Sequence, residues 1–268
     1  MHDCPKLRRG PAANIADIAC LGLLLACLAS PRAVAEEASA LTGAKGSLSA
    51  TEGAPSASPA GTAFTMTRST RRAVFSGEPA SKDARRVADW VVDSGDNGSL
   101  PFVIVDKTDA KVFVFDNQGR LQGAAPALLG LARGDDSVPG IGDRELSRIR
   151  PEERTTPAGR FVAALGSDLD EQDILWVDYA DAISLHRVIT TSPKERRLQR
   201  LATPSVLDNR ISYGCINVPA KFYDAFVKPA FTGTNGVVYI LPETKPIGEV
   251  FPFYEVNEPT EVAAPGLH

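Results

Sequence analysis

Phe102-Val103-Ile104-Val105-Asp106 and Lys111-Val112-Phe113-Val114-Phe115-Asp116, parted by a short turn at Thr108-Asp109-Ala110, read as a β-hairpin. Branched and aromatic side chains fill both runs and suit a pleated surface better than a helix. Asn117-Gln118-Gly119 makes the next turn, and residues 121 to 131 continue the meander. Further strands are expected from Arg160 to Leu165, Ile174 to Tyr179, Ala182 to Arg187 and Gly236 to Leu241. Gly134 to Gly142 is a polar loop, and Asp143 to Glu153 alternates basic and acidic residues as a solvated loop or short helix does. The fold class is therefore mainly β. No internal repeat, P-loop or Rossmann glycine pattern occurs.

On the N-terminal side of the hairpin, residues 79–100 read as a helical brace. Ser81 can cap a helix whose Ala84, Val87, Ala88 and Val91 recur at helical spacing, with Trp90 beside them. Residues 36–78 are rich in Ala, Ser, Thr and Gly without apolar periodicity, the composition of a disordered linker. Residues 1–35 form a targeting segment. Lys6, Arg8 and Arg9 precede an apolar run from Ile15 to Ala29, and Ala33-Val34-Ala35 is a cleavage signature. The run is short for a membrane span, so the expectation is export to the periplasm or cell envelope with no stable membrane span. The alternative is a lipid anchor through Cys27 in Leu24-Leu25-Ala26-Cys27. At the other end, residues 243–268 read as a flexible tail, leaving 101–242 as the main domain.

Removal of residues 1–35 changes the cysteine arithmetic. Cys4, Cys20 and Cys27 go with that segment, and Cys215 is the single cysteine of the remaining chain. One cysteine cannot make an internal disulfide, and a thiol kept in an oxidising compartment argues for a chemical use. Beyond residue 35 the chain carries 25 basic and 31 acidic residues, a net of −6. No polybasic patch points to nucleic acid or an anionic membrane surface. One Cys and one internal His cannot hold zinc, so no metal and no cofactor is expected.

Ile211-Ser212-Tyr213-Gly214-Cys215-Ile216-Asn217-Val218-Pro219 is where chemistry concentrates. Gly214 lets the backbone turn sharply before Cys215, so the sulfur can be presented in a cleft and neighbouring N–H groups can converge. Asn217-Val218-Pro219 reads as the entrance of a helix to about Phe231, whose positive end would favour the thiolate. His186 is the only histidine between the two chain ends, on an alternating strand where it shares a face with Ser184. A Cys215–His186 nucleophile and base pair is the economical reading. Between them, Ser192-Pro193-Lys194-Glu195 is a capping-box pattern opening a helix to about Ala202. Leu198, Leu201 and Ala202 would form its buried side. Its arginines, Arg196, Arg197 and Arg200, belong either to a solvated face or to a lid that meets substrate carboxylates.

Taken in order, the hairpin, Thr156-Pro157-Ala158-Gly159-Arg160-Phe161, His186 and Ser212-Tyr213-Gly214-Cys215-Ile216-Asn217 resemble the L,D-transpeptidase catalytic domain family (YkuD-like) across residues 101–242. The resemblance implies a β-sandwich or barrel around a catalytic cleft, with a few attached α-helices. It implies a cysteine acyltransferase acting on peptidoglycan stem tetrapeptides, with a stem peptide or an envelope protein as acyl acceptor. Cys215 and His186 would be catalytic. Ser212, Tyr213 and Gly214 would orient the pair and form the oxyanion site, and Asn217, Arg187, Arg196, Arg197 and Arg200 would bind substrate. The chain departs from the family at Tyr213, where histidine is usual, and at Arg187, where a small residue is usual. A cysteine carboxypeptidase or endopeptidase, or a decayed wall-binding protein, would be built on the same scaffold.

Overall fold

The structure is a computed structural model that describes residues 70–168 and 170–256. Helix α1 (Lys82–Ser94) begins where Ser81 Oγ accepts the Ala84 N–H and ends at Gly95, whose left-handed backbone returns its N–H to the Val91 carbonyl. Among the described residues ten strands complete the framework: β1 (Phe102–Asp106), β2 (Lys111–Phe115), β3 (Leu121–Pro126), β4 (Leu129–Gly130), β5 (Gly159–Ser167), β6 (Asp173–Asp178), β7 (Ile183–Arg187), β8 (Arg210–Ser212), β9 (Ile216–Val218) and β10 (Gly236–Ile240). The β1–β2 hairpin pairs Phe102 with Phe115 and Asp106 with Lys111. Asp106 closes the turn by accepting the N–H groups of Thr108 and Asp109.

Eight strands form one sheet in the order β3-β2-β1-β10-β5-β6-β7-β9, and β4 pairs with β8 separately. The sheet curls back on itself. Leu128, just beyond β3, exchanges both backbone hydrogen bonds with Asn217 of the far edge strand β9, which makes the sheet nearly closed and barrel-like. Strand alternation then sorts two cores. Val103, Val105, Val112, Val114, Leu185 and Ile216 fill one. Phe102, Ile104, Phe113 and Phe115 face the other way, onto Val87 and Val91 of α1.

Three sequence expectations are corrected by the structure. The linker expected to run to residue 78 gives way to packed chain before that: Val74 bridges Arg120, and the buried Phe75 ring meets Phe113 and Phe115 edge-on. The tail expected from 243 is held instead. Asp135 accepts the backbone N–H groups of Glu243, Thr244 and Lys245, and Phe251 is buried against Trp90 and Tyr239. Finally, the helix expected from Pro219 forms as one continuous run of α3 (Ala220–Phe222), a π-helical turn (Tyr223–Val227) and α4 (Lys228–Phe231), but it does not begin at Cys215. Strand β9 separates it from Cys215, so no helix terminus lies at the sulfur.

Candidate active site

Parallel pairing of β7 with β9 sets Leu185 against Ile216 and His186 against Asn217. Leu185 and Ile216 point into the core, so Ser184 and His186 of β7 share the other face with Cys215 and Asn217. All four are buried. Ser184 Oγ donates to Cys215 Sγ at 3.4 Å, and the sulfur lies 3.5 Å from the Ala182 carbonyl.

The loop that presents Cys215 is fixed from inside and from behind. Ser212 Oγ donates to the Cys215 carbonyl at 2.6 Å and accepts the Gly214 N–H at 3.1 Å. Gly214 has φ +132°, and a Cβ there would lie 2.7 Å from the Thr155 carbonyl oxygen and 2.8 Å from Ile183 Cδ1. Only glycine fits that position. Behind it, the buried Thr156 hydroxyl donates to the Gly214 carbonyl and accepts the Gly130 N–H. Thr156 is in turn tied to Lys107, whose Nζ meets the carbonyls of Thr156 and Gly134 and the Asp135 carboxylate within 2.6–2.8 Å. Burial lowers the Lys107 pKa, and the Asp135 and Glu243 carboxylates pull the other way. For Asp135 burial works upward, but Lys107, Thr244 and the backbone donors overcome it and hold the carboxyl well below its usual range.

His186 is held as a neutral ring. Nδ1 lies 2.7 Å from the Arg187 carbonyl, and Nε2 lies 3.4 Å from Asn217 Nδ2. Burial pushes its pKa down to about 4; the Arg187 carbonyl pulls the other way, the Arg197 charge lowers it further, and Asp168 raises it. Among the described residues no hydrogen bond joins His186 to Cys215. The two occupy one face, with Ser184 rather than imidazole on the sulfur.

Solved structures of L,D-transpeptidases resemble this chain. They include an L,D-transpeptidase from Xylanimonas cellulosilytica, with 14% identity over 53% of this chain and 60% of that one and a TM-score of 0.33. L,D-transpeptidase 3 from Mycobacterium tuberculosis matches with 13% identity over 53% of this chain and 60% of that one, at a TM-score of 0.32. The helical cell shape determining protein Pgp2 from Campylobacter jejuni matches with 15% identity over 55% of this chain and 49% of that one, at 0.34. The chain thus spans about half to three-fifths of the length of these structures. No protein-family model matches the sequence, and no curated protein matches it. The chemistry of the site rests on this chain's own residues.

Those residues divide the sequence expectations. The Tyr213 ring lies under the Arg154 guanidinium, 3.9 Å away, in a cluster with Ile141 and Ile149. The Gly214 N–H donates to Ser212 Oγ. Ser212 shapes the loop through that bond and its bond to the Cys215 carbonyl. Arg187 alternates to the opposite face of β7, where Asp173 and Asp224 bind it and the Tyr223 ring lies beneath it.

The helix expected over 193–202 is interrupted. A 3-10 turn (Pro193–Glu195) receives no cap from Ser192, Arg196 takes φ +52°, and helix α2 (Arg197–Ala202) starts from there. The kink changes the helical phase, so Leu198 is exposed and Arg197 is buried. Arg200 donates to the carbonyls of Glu195 and Asp208 and braces this insert, while Arg196 is exposed. Of the five residues expected at the substrate, Asn217 and Arg197 converge on the site. Arg197 Nη1 donates to Asn217 Oδ1 at 2.6 Å.

Ser184 and Thr156 were placed in the right motifs by sequence but given no part there. Lys107 and Asp135 carry no local signal, since their meeting joins a hairpin turn to a distant loop. Cys215 takes part in a disulfide in this structure. The expectation of a thiol concerns the chain beyond residue 35, which contains no second cysteine. Its nucleophilic form is the thiolate released by reduction. Among the described residues no cluster of His, Cys, Asp and Glu is placed to hold a metal, and no helix is long and apolar enough to cross a membrane.

Proposed function

We propose that the protein is a cysteine acyltransferase of the L,D-transpeptidase type, acting on peptidoglycan tetrapeptide stems. The observation that carries this reading is the meeting of Cys215, His186, Ser184 and Asn217 on one buried face of β7 and β9. A reduced Cys215, losing its proton to His186 Nε2, attacks the stem carbonyl. The tetrahedral oxyanion collapses with cleavage of the C–N bond, and the terminal D-alanine leaves as an amine carrying the proton from His186. The thioester is then attacked by an acceptor amine, which forms the new amide, returns a proton to His186 and expels the thiolate. A stem peptide or an envelope protein supplies that amine; water in its place gives a carboxypeptidase.

We further propose that the protein works after export, as a chain beginning at Glu36, in the periplasm or cell envelope. The test uses reduced residues 36–268 with a purified tetrapeptide stem. Intact mass should show an adduct equal to the stem less D-alanine, absent from Cys215→Ala. Stem cleavage by Cys215→Ala at the wild-type rate would refute the covalent route.

A further inference from the structure

Arg197 sits deeper in the site than its place in an arginine-rich insert suggests. Its side chain is 1% exposed, with Nε on the Glu195 carboxylate and Nη1 on Asn217. A guanidinium can only donate, so the Asn217 atom at 2.6 Å must be the amide oxygen. That contact removes the ambiguity between the two ends of an asparagine amide. The other end, Nδ2, is then turned to the Cys215 carbonyl at 3.3 Å and to His186 Nε2 at 3.4 Å. An imidazole nitrogen facing an NH₂ group must present its lone pair. The ring proton belongs on Nδ1, where it meets the Arg187 carbonyl at 2.7 Å. The two sides of the ring therefore demand the same tautomer.

We propose that Arg197 is a positioning residue: by fixing the Asn217 amide it holds His186 with the proton on Nδ1 and the lone pair on Nε2. Its bearing on catalysis rests on the acyltransfer reading, in which Nε2 is the base. The insert between His186 and Cys215 thereby supplies an inner support for the base, and its buried arginine is not a substrate clamp. Glu195 balances the buried charge, which would otherwise be costly.

The test is the ring ¹⁵N spectrum of reduced residues 36–268 at neutral pH, in which His186 and His268 are the only histidines. In the wild type, His186 should give one pyrrole-like and one pyridine-like nitrogen, the latter at Nε2. Arg197→Met frees the amide to turn, and the separation between the two nitrogens should collapse toward that of exchanging tautomers. Arg197→Lys keeps a donor and should restore it. Asn217→Asp sets a carboxylate against Nε2 and should make both nitrogens pyrrole-like, an imidazolium. Should Arg197→Met fail to fold, Arg197→Leu, which also lacks a donor, is read in its place. A wild-type separation in folded Arg197→Met, or in Asn217→Asp, overturns the proposal. The spectrum needs no turnover, so a chain that forms no acyl-enzyme refutes the function and leaves this result standing.

Discussion

His186 is buried as a neutral ring, and that has a consequence for stability. In the unfolded chain it titrates near 6.5, while in the fold its pKa is about 4. Between those values the unfolded state binds more protons. The stabilisation is therefore fully present above pH 6.5 and is lost as pH falls toward 4, amounting to about 3 kcal/mol. His186→Gln has no such term. Urea unfolding of the two proteins should show the wild-type advantage shrinking across that window; a constant gap would mean that the ring is not held neutral by the fold. Cys215 and His186 were legible in the sequence because each is singular in its stretch of chain. The orientation of Asn217 was not, since it depends on an arginine twenty positions away whose burial follows from the positive φ of Arg196. A regular helix through 193–202 puts Leu198 inside, and the kink puts Arg197 there.

The elements around Cys215 are joined by a buried chain of contacts: Asp135 to Lys107, Lys107 to the Thr156 carbonyl, and the Thr156 hydroxyl to Gly214. Both charged side chains of the Lys107–Asp135 pair are fully buried. Removing one partner strands the other, which costs on the order of 3–5 kcal/mol, whereas removing both costs less. Lys107→Met should therefore lower the unfolding free energy by that order. Lys107→Met combined with Asp135→Asn should recover part of it in a double-mutant cycle. Simple additivity of the two changes would show that the ammonium and carboxylate do not act as a pair. Strand positions and hairpin turns were readable from local pattern, because β-branched runs and glycine turns are local properties. This network was not, because Lys107 sits in an ordinary turn and its partners lie 28 and 49 residues further along.

At the scale of the molecule, the nearly closed sheet brings the two ends of the described chain onto one core. Phe75, before α1, packs on Phe113 and Phe115, while Phe251, after β10, packs on Trp90 and Tyr239. Composition alone marked residues 243–268 as a tail, because Pro and Gly interrupt every apolar pattern there. It could not show that Asp135 gathers three successive N–H groups from Glu243, Thr244 and Lys245, nor that Glu243 receives both Arg210 and Arg133. Truncation after Pro242 separates the two readings. It uncovers the face of Trp90 and Tyr239 that Phe251 covers, a burial worth roughly 2–3 kcal/mol. It also leaves Asp135 with Lys107 but without its backbone donors, and Arg210 without its carboxylate. Each lost charge-assisted hydrogen bond adds about 1.5–3 kcal/mol of destabilisation, less where water replaces the donor. The melting temperature of reduced residues 36–242 should fall by on the order of 10 °C or more relative to 36–268. Alkylation of Cys215 should accelerate as well, since Asp135, Lys107 and Thr156 connect the lost segment to the loop that holds the sulfur. An unchanged melting temperature would restore the tail reading and detach residues 243–256 from the fold.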